Sequence, residues 1–367
     1  MNVGGRVLGM AAGAAGVAAA GAAAGAAARA VSHRRPIVHQ PVDHELELGS
    51  LRGHAITVVA DDGVPLHAEI DEPSLSAAAP RRRTKQAAPP PPVTLVWCHG
   101  YSLNLDCWHF QRAAYRGLLR SVFYDQRSHG RSGRSPEDNS TVDQLGRDLK
   151  RVLDDLTHDD PVVLIGHSMG GMTILSFAEQ HPELFGTKVV GVALLSTTGG
   201  GLDPGRILFP MLPAGLGSGL VKRMVGTLSR GHRAVDALRN RGHDLAMVVT
   251  DAYAFGSDVP PEQVEFVYDL LNQTPFDVIA DFFPAFASLD VWRSCSTVAQ
   301  VPTSIICGTS DKITAVGHSR KLHARIHGSD LLECEGAGHM VNIERYTSVN
   351  SELDSLLSAA IDRVGAR

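Results

Sequence analysis

Short apolar runs alternate with amphipathic segments through the middle of the chain. The runs predict strands that are buried on both faces, at Val93–Trp97, Val122–Tyr124, Val162–Ile165 and Val189–Leu195. Between them, apolar positions three or four residues apart predict helices at Arg112–Leu119, Thr141–Leu156 and Met169–Glu179. Such an alternation is typical of an α/β fold, so we expect a mostly parallel, doubly wound sheet.

Apolar residues recur at every second position before these units. They alternate with small or polar residues around Ile56–Val58, and again from Leu66 to Ile70. Asp62-Gly63 lies between the two segments and is typical of a tight turn. The pattern predicts a β-hairpin over residues 54–73.

The alternation of strands and helices stops near Gly199 and resumes at residue 303. The later part predicts strands and a closing helix, at Thr303–Cys307, Leu331–Cys334 and Ser348–Ile361. The interval contains a helix that starts at Pro261 but no clear strand, which indicates a helical insertion. We therefore divide the folded part into a first core segment, a helical cap and a second core segment, at residues 41–200, 201–297 and 298–367.

Two segments are too biased in composition to belong to a packed core. Residues 1–40 form an Ala/Gly-rich leader, whose stretch Val7–Ala28 has no charged residue and is long enough to cross a bilayer as a helix. Ala and Gly gain little from leaving water, so two interpretations stay open: a membrane anchor or signal-like segment, and a low-complexity leader. Residues 74–92 are rich in Pro and Arg and predict a surface insertion.

The overall composition excludes several classes of protein. A net charge of −5 is not that of a protein that coats nucleic acid, and 44% apolar residues exclude disorder of the whole chain. The five cysteines include no C-x-x-C pair, which excludes a zinc ribbon. We expect Cys98, Cys307 and Cys334 to be reduced thiols in the core. Two locations stay open: the cytoplasm, and a membrane reached through residues 1–40.

The most specific motif is Gly166-His167-Ser168-Met169-Gly170-Gly171, between a predicted strand and a predicted helix. G-x-S-x-G in this context predicts a sharp strand-to-helix turn that raises a nucleophilic serine above the carboxyl edge of the sheet. The helix N-terminus beneath Ser168 favours a developing negative charge. A chance match in a Gly-rich chain is the alternative, and the strand, the helix and Gly171 together argue against it.

Two later residues suit the partners that a serine nucleophile needs. His339 follows the last predicted strand within a Gly-rich loop, and Asp311 follows the strand Thr303–Cys307. Both would lie at the same edge of the sheet as Ser168, in the chain order Ser, Asp, His. A helix cap is the alternative for Asp311, and Asp203 is a less well placed rival for the orienting acid.

Acyl transfer also needs N–H donors for the oxyanion. The N–H of Met169 comes directly after Ser168, and the N–H of Tyr101 lies in the loop after the strand Val93–Trp97. Gly100 would let this loop turn toward the serine. His99 is a rival for the catalytic base, but we interpret it as a residue that braces the loop.

Four separated elements together resemble the α/β-hydrolase fold superfamily, in its cap-bearing esterase, lipase and peroxidase-like branch. They are the His99-Gly100 loop, Asp125–Ser132, Gly166–Gly171, and Asp311 with His339, and the resemblance extends over residues 54–365. It implies that Asp125 and Arg127 brace the fold and take no part in catalysis. Ser128 stands where the family's D-x-R-G-x-G-x-S stretch has its first glycine, and the leader and the proline-rich insertion also depart from the family pattern.

These residues predict a serine hydrolase that cleaves carboxylic esters without a metal or an organic cofactor. Ser168 would form an acyl-enzyme, His339 would transfer the proton and Asp311 would orient the imidazole. Serine as nucleophile argues against an epoxide hydrolase or a dehalogenase, because those members of the family use a carboxylate. A cofactor-free haloperoxidase or perhydrolase, a carbon–carbon bond hydrolase and a non-catalytic binding module remain alternatives.

The substrate class depends on the predicted cap. Ile207–Leu212 and Phe282–Phe286 are apolar enough to line a pocket for an acyl chain, and the alternative is that they only pack the cap onto the sheet. We therefore expect a small, apolar ester as substrate and no nucleic-acid partner.

Overall fold

The computed structural model of the chain describes residues 38–43, 45–74, 93–202 and 243–366. The sheet and its helices belong to one compact unit that begins at His39. The predictions made for the leader up to residue 37, for residues 75–92 and for Ile207–Leu212 lie outside the described residues.

Eight strands form one sheet within the described residues: β1 (His54–Val59), β2 (Pro65–Asp71), β3 (Thr94–Cys98), β4 (Ser121–Tyr124), β5 (Val162–His167), β6 (Val189–Leu195), β7 (Thr303–Gly308) and β8 (Asp330–Cys334). Their spatial order is β1-β2-β4-β3-β5-β6-β7-β8. The pairs β1/β2 and β2/β4 are antiparallel, and the remaining pairs are parallel. The predicted α/β fold with a mostly parallel sheet is therefore confirmed.

Helices pack around this sheet: α1 (His109–Tyr115), α2 (Val142–Leu156), α3 (Met169–Gln180), α4 (His243–Ala254), α5 (Pro261–Asn272), α6 (Phe276–Ala287), α7 (Cys295–Val298), α8 (Val316–Arg325), α9 (Val341–Glu344) and α10 (Tyr346–Gly365). α3 contacts β3, β5 and β6, and α10 contacts β6 and β7. These central strands are buried along their full length, which is why each of them is a continuous apolar run. No helix in the described ranges combines the length and the apolar character that a membrane crossing needs.

The first helix after β3 differs from its prediction. The apolar spacing predicted Arg112–Leu119, but α1 begins at His109 and ends at Tyr115. A 3-10 turn over Leu105–Trp108 leads directly into α1, so the aromatic residues before the predicted start are already wound into a helix. Gly117, with φ of +75°, lies outside helical backbone geometry and prevents the helix from reaching Leu119.

Among the described residues, α4, α5, α6 and the short α7 lie between β6 and β7, and we refer to α4, α5 and α6 as the inserted helices. The helix predicted to start at Pro261 is α5, which ends at Asn272 before Pro275. The sheet resumes with β7 directly beside β6, because Val192–Leu195 pair in parallel with Thr303–Ile306. The insertion therefore leaves and rejoins the sheet at adjacent strands.

The compact unit begins with a short docked segment. The backbone N–H and the ring of His39 both contact the Asp354 carboxylate on α10, and Nδ1 of His39 lies 2.8 Å from Oδ2. The N–H of Gln40 donates to the carbonyl of Ala114 on α1 at 2.9 Å. The last residues of the predicted leader thus pack against the fold.

Arg127 is a buried cation that joins the hairpin to α2. Its guanidinium donates to both oxygens of Asp148 on α2, at 2.6 and 2.7 Å, and to both oxygens of Asp62 in the hairpin turn, at 2.7 and 3.0 Å. The hydrogen bonds from Arg127 hold the pKa of Asp62 well below its usual value. These contacts give Arg127 the bracing role that the resemblance implied.

The loop that follows β4 is also fixed by Asp125 and Ser128. The Asp125 carboxylate accepts hydrogen bonds from the backbone N–H groups of Leu105 and Arg131, each at 2.8 Å. Ser128 has φ of +65°, a conformation that favours glycine, and its Oγ accepts a hydrogen bond from the N–H of Ser135 at 2.8 Å. The serine therefore keeps the backbone shape of the glycine it replaces, and its side chain adds a contact.

Replacement of Arg127 by alanine should lower the free energy of unfolding by about 3–5 kcal/mol, because it leaves two carboxylates without their partner. The matched control is Lys150→Ala, which removes an exposed ion pair with Asp154 on α2 and should cost less than about 1 kcal/mol. Urea unfolding of both variants at neutral pH measures the difference. Equal stability of the Arg127 variant and the wild type would contradict the bracing role.

Candidate active site

Ser168 lies at the sharp turn between β5 and α3. Its backbone has φ of +52° and ψ of −115°, which is a strained combination for a residue with a side chain. The N–H of Ser168 donates to the carbonyl of Leu195 at 2.9 Å. Its carbonyl accepts from the N–H of Gly171 at 2.9 Å and from Oγ1 of Thr197 at 2.7 Å. Hydrogen bonds on both sides therefore hold the strained turn in place.

The first turn of α3 passes very close to the end of β3. A Cβ atom at Gly170 would lie 2.0 Å from the carbonyl oxygen of Cys98, so no larger residue fits there. A Cβ atom at Gly171 would lie 2.5 Å from the side chain of Thr197, just after β6. These two glycines let the helix start directly behind Ser168 with the loops after β3 and β6 packed against it.

Asp311 and His339 come together in the loops after β7 and β8. Oδ2 of Asp311 lies 2.9 Å from Nδ1 of His339. Oδ1 accepts hydrogen bonds from the N–H groups of Ile313 and Thr314, at 2.8 and 2.9 Å. Burial alone would raise the pKa of Asp311, but the His339 ring and these hydrogen bonds lower it to about 2. The ionised carboxylate can only accept, so Nδ1 of His339 carries the proton and Nε2 is its basic nitrogen.

His167 connects the serine turn to the loop of His339. Its Nε2 lies 3.0 Å from the backbone carbonyl oxygen of His339, and the two rings are 4.9 Å apart between centroids. Burial lowers the pKa of His167 to about 3, so the ring is neutral and donates from Nε2. Among the described residues no hydrogen bond joins the Ser168 hydroxyl to the His339 ring, and bonds of this kind often tighten only when substrate is bound.

The loop after β3 is held by His99. Its Nδ1 donates to the carbonyl of Gly100 at 2.7 Å, and its Nε2 accepts from the N–H of Gln126 at 2.8 Å. Burial lowers the pKa of His99 to about 4, so it stays neutral with both ring nitrogens engaged. These contacts support its interpretation as a bracing residue. The amide oxygen of Gln126 accepts from the Thr173 hydroxyl at 2.7 Å, which links the loop after β4 to α3. The sequence analysis assigned no role to either residue.

The two candidate oxyanion donors are the backbone N–H groups of Met169 and Tyr101. The N–H of Met169 is the first of α3 and belongs to the amides that a helix leaves without an internal partner. Tyr101 follows Gly100 in the loop, and its hydroxyl donates to the carbonyl of Ile279 on α6. Its ring makes an edge contact with Phe286, with 4.9 Å between centroids. Tyr101 therefore joins the loop to the inserted helices.

Of the two apolar stretches predicted to line a pocket, Phe282–Phe286 lies on α6. Phe282, Phe283 and Phe286 are all buried. The ring of Phe282 lies 5.4 Å from that of His129, which is in the loop after β4. This part of α6 therefore packs onto the loops that surround Ser168.

The five cysteines are buried and unpaired with one another, as was predicted for Cys98, Cys307 and Cys334. Burial raises the pKa of the Cys98 thiol to about 12, so it stays protonated. No group of three or more His, Cys, Asp or Glu side chains within the described ranges is arranged to hold a metal ion.

A model of the Alpha/beta hydrolase family matches residues 95–352, more than half of the chain. The chain belongs to this family. Membership supports hydrolase activity on a small-molecule substrate. An uncharacterized protein of Mycobacterium tuberculosis is 27% identical to this hydrolase over 252 residues, which cover 66% of this chain and 68% of that protein.

Solved structures share the fold of this hydrolase. The enol-lactonase of Burkholderia xenovorans LB400 has a TM-score of 0.62 at 23% identity, and the match covers 83% of this chain and 100% of the lactonase. The bromoperoxidase of Bacillus anthracis has a TM-score of 0.62 at 18% identity, and the match covers 83% of this chain and 98% of the peroxidase. At these identities the similarity is one of fold.

Alanine at Gly170 should separate α3 from the loop after β3, because its methyl group would overlap the Cys98 carbonyl. We expect hydrolysis of a chromogenic ester to fall by about 100-fold or more, together with a lower melting temperature. The matched control is Gly317→Ala on α8, where nothing lies within 4 Å of the added methyl group. Its activity should be unchanged, and normal activity in the Gly170 variant would contradict the role of this contact.

Asp311 should stabilise the fold at neutral pH and lose this effect in acid. The carboxyl group binds a proton near 3.8 in the unfolded chain but only near 2 in the folded one, so its contribution disappears as pH falls through that window. Urea unfolding of wild type and Asp311→Asn should show a gap in stability that narrows as the pH is lowered. A gap that is independent of pH would contradict the lowered pKa.

Proposed function

We propose that this hydrolase cleaves carboxylic esters through an acyl-enzyme on Ser168, with His339 as general base and Asp311 as the residue that orients it. The observation that supports this most strongly is the 2.9 Å contact between Asp311 and Nδ1 of His339. That pair lies in the loops after β7 and β8, at the edge of the sheet where β5 ends at the Ser168 turn. Three residues distant in sequence thus share one edge of the sheet.

The chemistry follows from these positions. Oγ of Ser168 attacks the ester carbonyl carbon while Nε2 of His339 takes the hydroxyl proton. The carbon–oxygen bond to the alcohol then breaks, and the imidazolium returns the proton to the leaving alkoxide. A water molecule, deprotonated by the same nitrogen, then attacks the acyl carbonyl carbon. The bond from this carbon to Oγ of Ser168 breaks, the imidazolium returns its proton to Oγ, and the acid leaves. Asp311 stabilises the positive charge on the ring during both steps.

The oxyanion that forms in each step needs two donors. In this proposal they are the N–H groups of Met169 and Tyr101. The N-terminus of α3 adds a favourable field for the negative charge. The contacts of His99 with Gly100 and Gln126 support a fixed geometry for the loop that carries Tyr101.

The acyl group is proposed to be apolar and to lie under the inserted helices, which would act as a cap. Tyr101 and the buried aromatic residues of α6 support this, because they border the loops next to Ser168. The enol-lactonase with the same fold acts, as its name states, on a cyclic ester. The bromoperoxidase has the same fold, so peroxide-dependent chemistry is the second candidate function.

Ser168→Ala should lower kcat for p-nitrophenyl esters by about 10³–10⁶-fold, because it removes the nucleophile. Ser176→Ala is the matched control, since Ser176 is a buried serine on α3, the helix that follows Ser168, and its replacement should leave kcat unchanged. Hydrolysis rates of both variants with a butyrate ester measure the effect. Retained turnover in the Ser168 variant would contradict the proposed nucleophile.

A series of p-nitrophenyl esters from acetate to laurate tests the substrate class. We expect kcat/KM to rise from acetate to medium chains, because each buried methylene group adds about 0.8 kcal/mol of favourable transfer free energy. A preference for short, charged acids would contradict an apolar acyl site. Peroxide-dependent bromination with negligible ester turnover would instead favour the haloperoxidase.

A further inference from the structure

The segment Ala254–Ser257, which starts at the last residue of α4, lies directly on the loop that carries His339. The N–H of Met340 donates to the carbonyl of Ala254 at 2.8 Å. A Cβ atom at Gly256 would lie 2.3 Å from the carbonyl oxygen of Gly336, so the two backbones are in direct contact. The inserted helices therefore touch the His339 loop through main-chain atoms.

One buried carboxylate, that of Glu344, joins these two backbones. Its Oε2 accepts from the N–H of Gly256 at 3.1 Å and from the N–H of Gly338 at 2.7 Å. Its Oε1 accepts from the N–H and the hydroxyl of Ser257, at 3.0 and 2.6 Å. The Glu344 side chain is fully buried, and the partly exposed Arg345 guanidinium lies 3.4 Å from Oε1. Hydrogen bonds to an ionised acceptor of this kind are about twice as strong as neutral ones.

These contacts hold the backbone on both sides of His339. Glu344 holds the N–H of Gly338, and Ala254 holds the N–H of Met340. His167 holds the carbonyl of His339 itself from the serine turn. Three consecutive residues are thus fixed by three different parts of the chain, one of which is the insertion.

We propose that Glu344 is a positioning residue for His339, because it fastens the segment Ala254–Ser257 to the Gly336–Met340 loop and so fixes where the imidazole lies. This inference rests on the proposed function, in which His339 is the base. Displacement of a catalytic group by about 1 Å can cost about 100-fold in rate, so loss of the carboxylate acts on the chemical step. The inserted helices thereby support the base as well as the acyl group.

The test is Glu344→Gln in the full chain, which keeps the size of the side chain but leaves a single acceptor oxygen for donors on two backbones. We expect kcat for p-nitrophenyl butyrate, per site titrated with a fluorophosphonate, to fall by about tenfold or more with KM nearly unchanged. Titrated sites exclude unfolded protein, so a role in stability alone would not lower this value. Glu333→Gln is the matched control, since Glu333 is partly exposed and its ionic partner among the described residues is Arg320.

Ser257→Ala removes one of the four hydrogen bonds and carries the test if Glu344→Gln does not fold. Its kcat per titrated site should fall by about threefold, while the melting temperature stays close to that of wild type. If Glu344→Gln folds, an unchanged kcat in that variant would overturn the inference. If it does not fold, an unchanged kcat in Ser257→Ala would do so. Full activity of Ser168→Ala would overturn the proposed function and this inference together. If Ser168→Ala loses activity but Glu344→Gln keeps its kcat, only the positioning role is overturned.

Discussion

The close approach of α3 to the ends of β3 and β6 sets the geometry on which the rest of the site depends. Gly170 and Gly171 allow it, because a side chain at either position would overlap Cys98 or Thr197. With the helix so close, the chain must turn sharply after β5, and Ser168 takes up φ of +52°. This strained backbone is held by two hydrogen bonds: the Ser168 N–H donates to the Leu195 carbonyl, and the Thr197 hydroxyl donates to the Ser168 carbonyl. A serine presented in this way is fixed before any ligand arrives.

The site also depends on hydrogen bonds to the polar groups that are buried where three of its loops meet. Asp311 is ionised because His339 and two backbone amides offset the cost of its burial. His99, His167 and Glu344 are each engaged with backbone groups of the loops. Their hydrogen bonds hold the irregular backbone of the loops in one conformation. Within the sheet, the hydrogen bonds between strands have the same effect. Away from the site, Arg127 does the same for the hairpin.

The sequence alone predicts most of what depends on local patterns. β6 has the bounds that its apolar run indicated, and the strand, turn and helix around Ser168 follow from glycines placed next to an apolar run. The predicted start of α1 was wrong because apolar spacing alone did not reveal the 3-10 turn Leu105–Trp108, which the Asn104 side chain caps and which continues directly into α1. The contact of Gln126 with Thr173 and the four bonds of Glu344 join residues far apart in the chain. Contacts between residues so far apart produce no pattern of spacing or periodicity in the sequence. These supporting residues can therefore be identified only from the fold.

The central claim is that the hydroxyl of Ser168 becomes covalently acylated. The most direct measurement is to treat the full chain with a fluorophosphonate ester, digest it, and locate the added mass by tandem mass spectrometry. The account predicts a single phosphonyl group on Ser168, formed much more slowly when His339 is replaced by alanine. An adduct on a different residue, or equal labelling of Ser168→Ala, would contradict it.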